Sequence, residues 1–226
     1  MIQQNPAVDH FKQQLQGALQ QEAAHCRTVK LAKQANIYTI GEQDPAVYFI
    51  ESGQVKLLAL TPDGKECLLA ILTPGDIFGE LCLSGQPERQ ETAIAMEPTV
   101  VKALPCDQFL LCLGRNGLLQ GFVQYLAVRI ADQQAIISNL VTVDSEQRLG
   151  KTLLKLARKL GKQDPSSIRI EQRITHEELA AMVGTTRQRI CEFMRRFREL
   201  GLIEFSAERF LIVKEHKLMA YLDRVN

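Results

Sequence analysis

The sequence has no uninterrupted apolar run of the about 18 residues that a membrane span needs. Its first residues, MIQQNPAVDHFKQQ, have neither the charged start nor the apolar stretch of a signal peptide, so the protein is expected to remain in the cytoplasm, with no membrane partner. Six cysteines (Cys26, Cys67, Cys82, Cys106, Cys112 and Cys191) are scattered along the chain and none form a C-x-x-C pair. A disulfide framework or zinc site is therefore not expected, and reduced thiols are. His25-Cys26 is a poor chelate, because neighbours on a helix point about 100° apart. Cys67, Cys82, Cys106 and Cys112 sit in apolar surroundings and are expected as buried fillers. A nucleotide P-loop, H-E-x-x-H and G-x-S-x-G are all missing, and His10, His25, His176 and His216 form no evident catalytic group. No catalytic residue, no metal and no enzymatic activity are expected.

What is present is an uneven distribution of charge. The net charge of +1 conceals ten Lys/Arg against fifteen Asp/Glu in residues 1–144, and seventeen against eleven in residues 145–226. A basic C-terminal part suits a polyanionic partner, because neutralising phosphates supplies most non-specific affinity for nucleic acid.

The texture of the chain changes along its length. Residues 7–25 read as a Gln-rich helix with Phe11, Leu15 and Leu19 on one face. Short apolar runs follow at Val47–Ile50, Val55–Leu60, Cys67–Leu72 and Thr92–Leu104, punctuated by Gly41, Gly53, Pro62-Asp63-Gly64 and Pro74-Gly75-Asp76. This spacing predicts a compact β-sandwich or roll. Near Asp107 a long helix begins, with a break at Gly114–Gly117 and Leu110, Leu113, Leu118, Phe122, Leu126, Ile130, Ile137 and Leu140 at helical spacing. That stripe is more than one small domain can cover, so a coiled-coil-like dimer seam is expected. The reading is an α+β chain in three parts: a β-roll with its N-terminal helix (1–106), a dimerisation helix (107–144), and a winged helix-turn-helix domain (145–226).

The last part carries the sharpest signal. Thr175-His-Glu-Glu178 is a capping box. Leu179, Met182 and Val183 form the apolar face of the helix it opens, and Gly184 ends that helix where a tight turn needs a permissive residue. Thr185-Thr186 then cap a second helix, in which Ile190, Phe193, Met194 and Phe197 follow i, i+3, i+4, i+7. Arg187, Gln188, Cys191, Glu192 and Arg195 occupy its opposite face, flanked by Arg189, Arg196 and Arg198. Leu202–Phe205 and Phe210–Val213 read as a β-hairpin, the wing. An amphipathic second helix of this kind is what the major groove of double-stranded DNA admits.

With these residues in place, the chain resembles the CRP/FNR superfamily over nearly its full length. Gly75-Asp-Ile-Phe-Gly-Glu-Leu81 is similar to the family's cyclic-nucleotide-binding signature. Asn139–Asp144 is similar to the end of its dimerisation helix and hinge. Arg148–Leu154 resembles the opening of its DNA-binding domain, and Ile174–Met194 its helix-turn-helix. The resemblance implies a homodimer, an effector-sensing roll, a palindromic promoter site and RNA polymerase as a partner. It makes Arg187 the residue that forks onto a guanine. Gln188 stands where many relatives have a glutamate, and a glutamine prefers adenine. Glu192 stands where some relatives carry an arginine; it either accepts from a cytosine or orients Arg187 or Arg196. Thr185 and Thr186 suit a phosphate at the helix N-terminus, and Arg195 belongs to the same DNA-facing set.

For the effector the resemblance leaves alternatives open. Glu80, flanked by Gly79 and Leu81, matches the residue that holds a ribose hydroxyl in cyclic-AMP-binding relatives. Arg89 matches the phosphate holder, but Gln90 replaces the usual hydroxyl residue and Glu91 a small alanine, with Thr92 as a substitute hydroxyl if the segment slides. Gln133 and Gln134 stand where a purine would be read. Cyclic AMP, cyclic GMP, a cyclic dinucleotide and no ligand all remain open. The rival function is a cyclic-nucleotide-binding module that controls a partner protein.

Overall fold

A computed structural model of the chain describes residues 5–22, 26–60, 66–86 and 88–225. His25, the turn at Pro62-Asp63-Gly64 and Pro87 lie outside the described residues. The chain forms two compact units, Met1–Asp132 and Gln133–Asn226.

In the first unit, helix α1 (Pro6–Gln21) begins with an Asn5 cap that accepts from the Ala7 N–H, followed by Pro6, which lacks the donor that a first helical turn leaves unpaired. Strands β1 (Arg27–Leu31), β2 (Asn36–Tyr38), β3 (Ala46–Ser52), β4 (Val55–Leu60), β5 (Glu66–Leu72), β6 (Ile77–Phe78), β7 (Thr92–Ala95) and β8 (Thr99–Pro105) follow, with a 3₁₀ turn at Glu80–Ser84. They pair antiparallel into two four-stranded sheets, ordered β1-β8-β3-β6 and β2-β7-β4-β5. The expected run Thr92–Leu104 is two strands in different sheets, β7 and β8. Both faces of β3 are covered, which is why Val47-Tyr-Phe-Ile50 is an unbroken apolar run. Tyr48 and Ile50 join Tyr38, Val55, Leu57, Leu72, Phe78 and Val101 in one core. Val47 and Phe49 turn instead toward the helices, packing with Phe11, Leu15 and Leu19 of α1.

Helices α2 (Cys106–Arg115) and α3 (Leu119–Thr142) are separated at Asn116–Leu118, as the glycines near 114–117 predict. Phe109, Leu113, Leu118, Phe122 and Tyr125 complete the helical core, each apolar side chain contributing about 1.5–3 kcal/mol. A Cβ at Gly121 would come within 2.7 Å of the Phe11 ring, so this glycine is what lets α1 lie on α3. The apolar stripe of the long helix therefore divides. Leu113, Leu118 and Phe122 are buried within the unit, whereas Leu119, Val123, Ile130, Ile137 and Leu140 are exposed.

Two expectations about cysteine are corrected. Cys82 and Cys106 form a disulfide between the 3₁₀ turn and the first residue of α2, with Cα atoms 6.8 Å apart. Their separation of 24 residues gave no spacing signal; folding brings them together. Cys67 is exposed rather than a buried filler, because it lies on edge strand β5. Cys26 and Cys112 are buried. Among the described residues no group of three or more His, Cys, Asp or Glu could hold a metal ion, and no helix is long and apolar enough to cross a membrane.

The second unit contains α4 (Ser145–Leu160), β9 (Gly161–Asp164), β10 (Ser167–Ile170), α5 (His176–Val183), α6 (Arg187–Glu199), β11 (Ile203–Phe205), β12 (Leu211–Val213) and α7 (Glu215–Val225). Asp144, expected as a hinge, is the α4 cap, accepting from the N–H groups of Glu146 and Gln147. The β11–β12 wing does not stand alone. It extends a four-stranded sheet ordered β11-β12-β10-β9. The core joins Leu149, Leu153 and Leu156 of α4 to Leu179, Ile190, Phe197, Ile203, Val213 and Leu218.

Candidate nucleic-acid interface and effector pocket

The capping box forms as the spacing requires. Thr175 accepts from the Glu178 N–H, and the Glu178 carboxylate accepts from the Thr175 N–H at 2.9 Å. Gly184 ends α5 in the left-handed region at φ 69°, a conformation costly for residues with a Cβ. Arg148, on α4, donates to the Val183 and Gly184 carbonyls, satisfying acceptors that the end of α5 leaves open. Thr186 caps α6 by accepting from the Arg189 N–H, while Thr185 is half-buried.

This frame buries Ile190, Met194 and Phe197 and leaves Arg187, Gln188, Cys191, Glu192 and Arg195 exposed. The first turn of α6 holds no acidic residue, yet it carries Arg187 and Arg189 at the positive pole of the helix dipole. Arg187 is met by Glu177 of α5 at 2.8 Å. Glu192 orients neither Arg187 nor Arg196: it accepts from the Gln188 amide at 3.4 Å, and Arg196 pairs with Glu146. Arg195 faces Glu199 at 3.9 Å. His176 Nδ1 lies 3.0 Å from Cys191 Sγ, a contact between the two helices that sequence reasoning did not foresee.

In the roll, Gly79, Glu80 and Arg89 come together, but on partners supplied by the protein. The Arg89 guanidinium pairs with Asp44 at 2.7 Å, donates to the Gly79 and Ala46 carbonyls, and lies over the Tyr38 ring at 4.1 Å. Only its Nε lacks a hydrogen-bond partner among the described residues. Gly79 sits at φ 76°, and a Cβ there would fall 2.8 Å from Arg89 and 2.9 Å from the Ala46 carbonyl. Its lack of a side chain is what lets Arg89 pass.

Glu80 pairs with Arg129 of α3 at 2.6 Å, and Arg129 also donates to the Ile77 carbonyl. Burial works against the Arg129 charge, and Glu80, with Tyr125 and Glu91, more than offsets it. The second oxygen of Glu80 is buried without a partner among the described residues. Glu91 is buried and accepts from the Tyr38 hydroxyl at 3.0 Å; desolvation lifts its carboxyl above the ordinary range in spite of that bond. Burial likewise raises the Tyr38 hydroxyl. Thr92 accepts from the Ile40 N–H and is buried in the sheet. Leu81 and Gln90 are exposed at the rim of a cleft of about 10 Å³, lined also by Asp44, Cys82 and Glu91. That volume fits one water. Gln133 and Gln134 are exposed on α3.

Asp44, Tyr38 and Arg129, the partners of Arg89, Glu91 and Glu80, are the residues that sequence reasoning missed. For Arg129 the available signal was a charge imbalance, since Glu80 and Glu91 in apolar company need a cation beyond Arg89; Asp44 and Tyr38 left no such signal.

Two family models match separate parts of the chain. Residues 28–116 match the family model of the cyclic nucleotide-binding domain, and residues 147–221 that of the Crp-like helix-turn-helix domain. The chain is 30% identical over 185 residues to the CRP-like cAMP-activated global transcriptional regulator of Mycobacterium tuberculosis, a match covering 80% of this chain and 82% of that protein. It is 31% identical over 168 residues to the cyclic AMP receptor protein of Thermus thermophilus, covering 74% of each. Among solved structures, a CooA mutant from Carboxydothermus hydrogenoformans superposes with a TM-score of 0.75 at 28% identity, covering 89% of this chain and 90% of that one.

Proposed function

Because the chain belongs to the CRP/FNR family of transcription regulators, we propose that the exposed face of α6 enters the major groove of a palindromic operator, one α6 from each subunit of a homodimer. The chain is a DNA-binding regulator with a cyclic nucleotide-binding domain and a helix-turn-helix domain. The observation that carries the residue assignment is the first turn of α6, where Arg187 and Arg189 are exposed at a positive helix pole without an acid of their own turn. Arg187 leaves Glu177 and forks onto a guanine. Gln188 takes an adenine, with its amide oriented by Glu192. Thr185, Thr186 and Arg195 hold phosphates.

The dimer seam in this reading is the 4-3 series Leu119, Val123, Leu126, Ile130, Gln133, Ile137 and Leu140 of α3. Its one polar member, Gln133, sets the register, which gives this residue a task beside effector contact. Residues 1–106 sense, 107–144 dimerise and 145–226 bind DNA. The protein works in the cytoplasm, where its DNA is, engages RNA polymerase there, and performs no catalysis. The effector is an anion that takes Arg89 from Asp44, and cyclic AMP, which activates the mycobacterial relative by its name, is the first candidate.

The test uses a duplex selected by the protein from a random library. Arg187→Ala costs about 1–3 kcal/mol on that duplex and relaxes the preference at one base pair. Fluorescence anisotropy on selected and scrambled duplexes measures it. A variant that loses equal affinity for both sets refutes the assignment of Arg187.

A further inference from the structure

We propose that the Cys82–Cys106 disulfide is a redox-operated latch on the Arg89 pocket. The bond joins the two walls from which that pocket is built. On one side, Cys82 lines the cleft and its N–H donates to the Gly79 carbonyl, the same oxygen that accepts from Arg89. On the other, the Cys106 N–H donates to the Pro45 carbonyl, between Asp44 and Ala46, which both hold Arg89. The bridge thus closes a ring that runs from Gly79 through Cys82, Cys106 and Pro45 to Asp44, with Arg89 clamped across it. Glu80, two residues before Cys82, carries any movement of this turn to Arg129 on α3.

The chemistry around the bond supports a reversible reaction. Cys82 and Cys106 are partly exposed, so a small thiol can reach them. The two other cysteines of this helical core, Cys26 and Cys112, are buried, and burial raises their thiols, Cys26 to about 11. They are poor nucleophiles and do not compete in exchange. A protein that binds DNA in the cytoplasm meets a reducing thiol pool, and a disulfide there is characteristically redox-sensing; this step rests on the regulator reading above. Reduction needs a dithiol of the thioredoxin class or two glutathiones. A thiolate attacks one sulfur, the Cys82–Cys106 bond breaks and a mixed disulfide forms. A second thiolate then releases it, so that two electrons and two protons pass to the cysteines and the reductant leaves as its own disulfide. With the bond open, the turn at Glu80–Ser84 separates from α2, and Asp44 and Gly79 release Arg89 to an anionic effector.

The experiment uses the full-length protein in glutathione buffers of graded potential. Differential alkylation and peptide mass spectrometry report the state of each cysteine, and hydrogen exchange reports the pocket. The pair is expected to convert reversibly between dithiol and disulfide across the cytoplasmic range. Amide exchange over residues 79–91 is expected to be about tenfold faster in the reduced protein and in Cys82→Ser and Cys106→Ser, at either potential. A pair that stays reduced in oxidised glutathione, or stays bonded in millimolar reduced glutathione, overturns the latch, as does conversion without any change in exchange over 79–91. None of these readouts depends on DNA binding, so a failure of the operator reading leaves them interpretable. Anisotropy on the selected duplex then reports whether the latch reaches DNA.

Discussion

Two arginine–carboxylate pairs at nearly the same distance have opposite meanings in this protein. Arg187 and Glu177 meet at 2.8 Å with side chains 68% and 62% exposed, whereas Arg89 and Asp44 meet at 2.7 Å at 4% and 26%. In the first pair water screens the attraction and two long side chains lose freedom, so the pair contributes little and yields readily to a phosphate or a base. In the second the guanidinium has exchanged its hydration for a carboxylate, two carbonyls and an aromatic face, and any ligand must offer as much. The exposed face of α6 can exchange partners, while Arg89 is held by the protein's own residues.

The largest expected effect comes from removing the buried member. Arg89→Ala leaves Asp44 and the Gly79 and Ala46 carbonyls facing a void, and lowers the stability of the first unit by about 3–5 kcal/mol, measured by urea unfolding of the full chain. A loss under about 1 kcal/mol, the value for an exposed pair, would erase the contrast.

A pH series sharpens it. Desolvation raises the folded-state pKa of Glu91 above its unfolded value, so between those two values the native state binds the extra proton. Wild-type stability therefore falls as pH rises from the ordinary carboxylate range through the raised pKa. Glu91→Gln cannot titrate and keeps an oxygen for the Tyr38 hydroxyl. Thermal melts of the two proteins should draw together at acid pH and separate toward neutrality, with the variant the more stable. Parallel curves would show that the Glu91 environment is no different from an exposed one.

The smallest effect belongs to the surface pair. Glu177→Ala changes stability by less than about 1 kcal/mol. It frees Arg187 from a competing carboxylate, so affinity for the selected duplex rises modestly, and most at low salt. Tighter binding by anisotropy with an unchanged melting temperature supports the comparison; a destabilised helix-turn-helix breaks it.

How legible each region was follows from how local its interactions are. The helix-turn-helix was readable because Thr175, Glu178, Gly184 and Thr186 act on neighbours a few residues away, and the 3.6-residue period of Ile190, Met194 and Phe197 carries the burial pattern. The β9–β10 hairpin, which completes the wing sheet, was not readable: Gly161–Asp164 is a polar edge strand with no alternation to mark it. In the pocket the motif residues Gly79, Glu80 and Arg89 could be found, but what they do could not. Arg89 meets Asp44 across 45 residues of sequence, Tyr38 meets Glu91 across 53, and Arg129 reaches Ile77 across 52. Contacts of that span leave no period or spacing in a single chain.

By itself, then, the sequence determined the order of the parts, the helix-turn-helix with its exposed arginine face, and the family. Local propensity and short-range hydrogen bonds are written in consecutive residues. Only the tertiary structure decided that Arg89 is already held by Asp44 and two carbonyls, that α3 divides its stripe between core and surface, and that Cys82 and Cys106 share a bond. Each of these depends on which distant segments meet once the apolar faces of the sheets and helices are buried together.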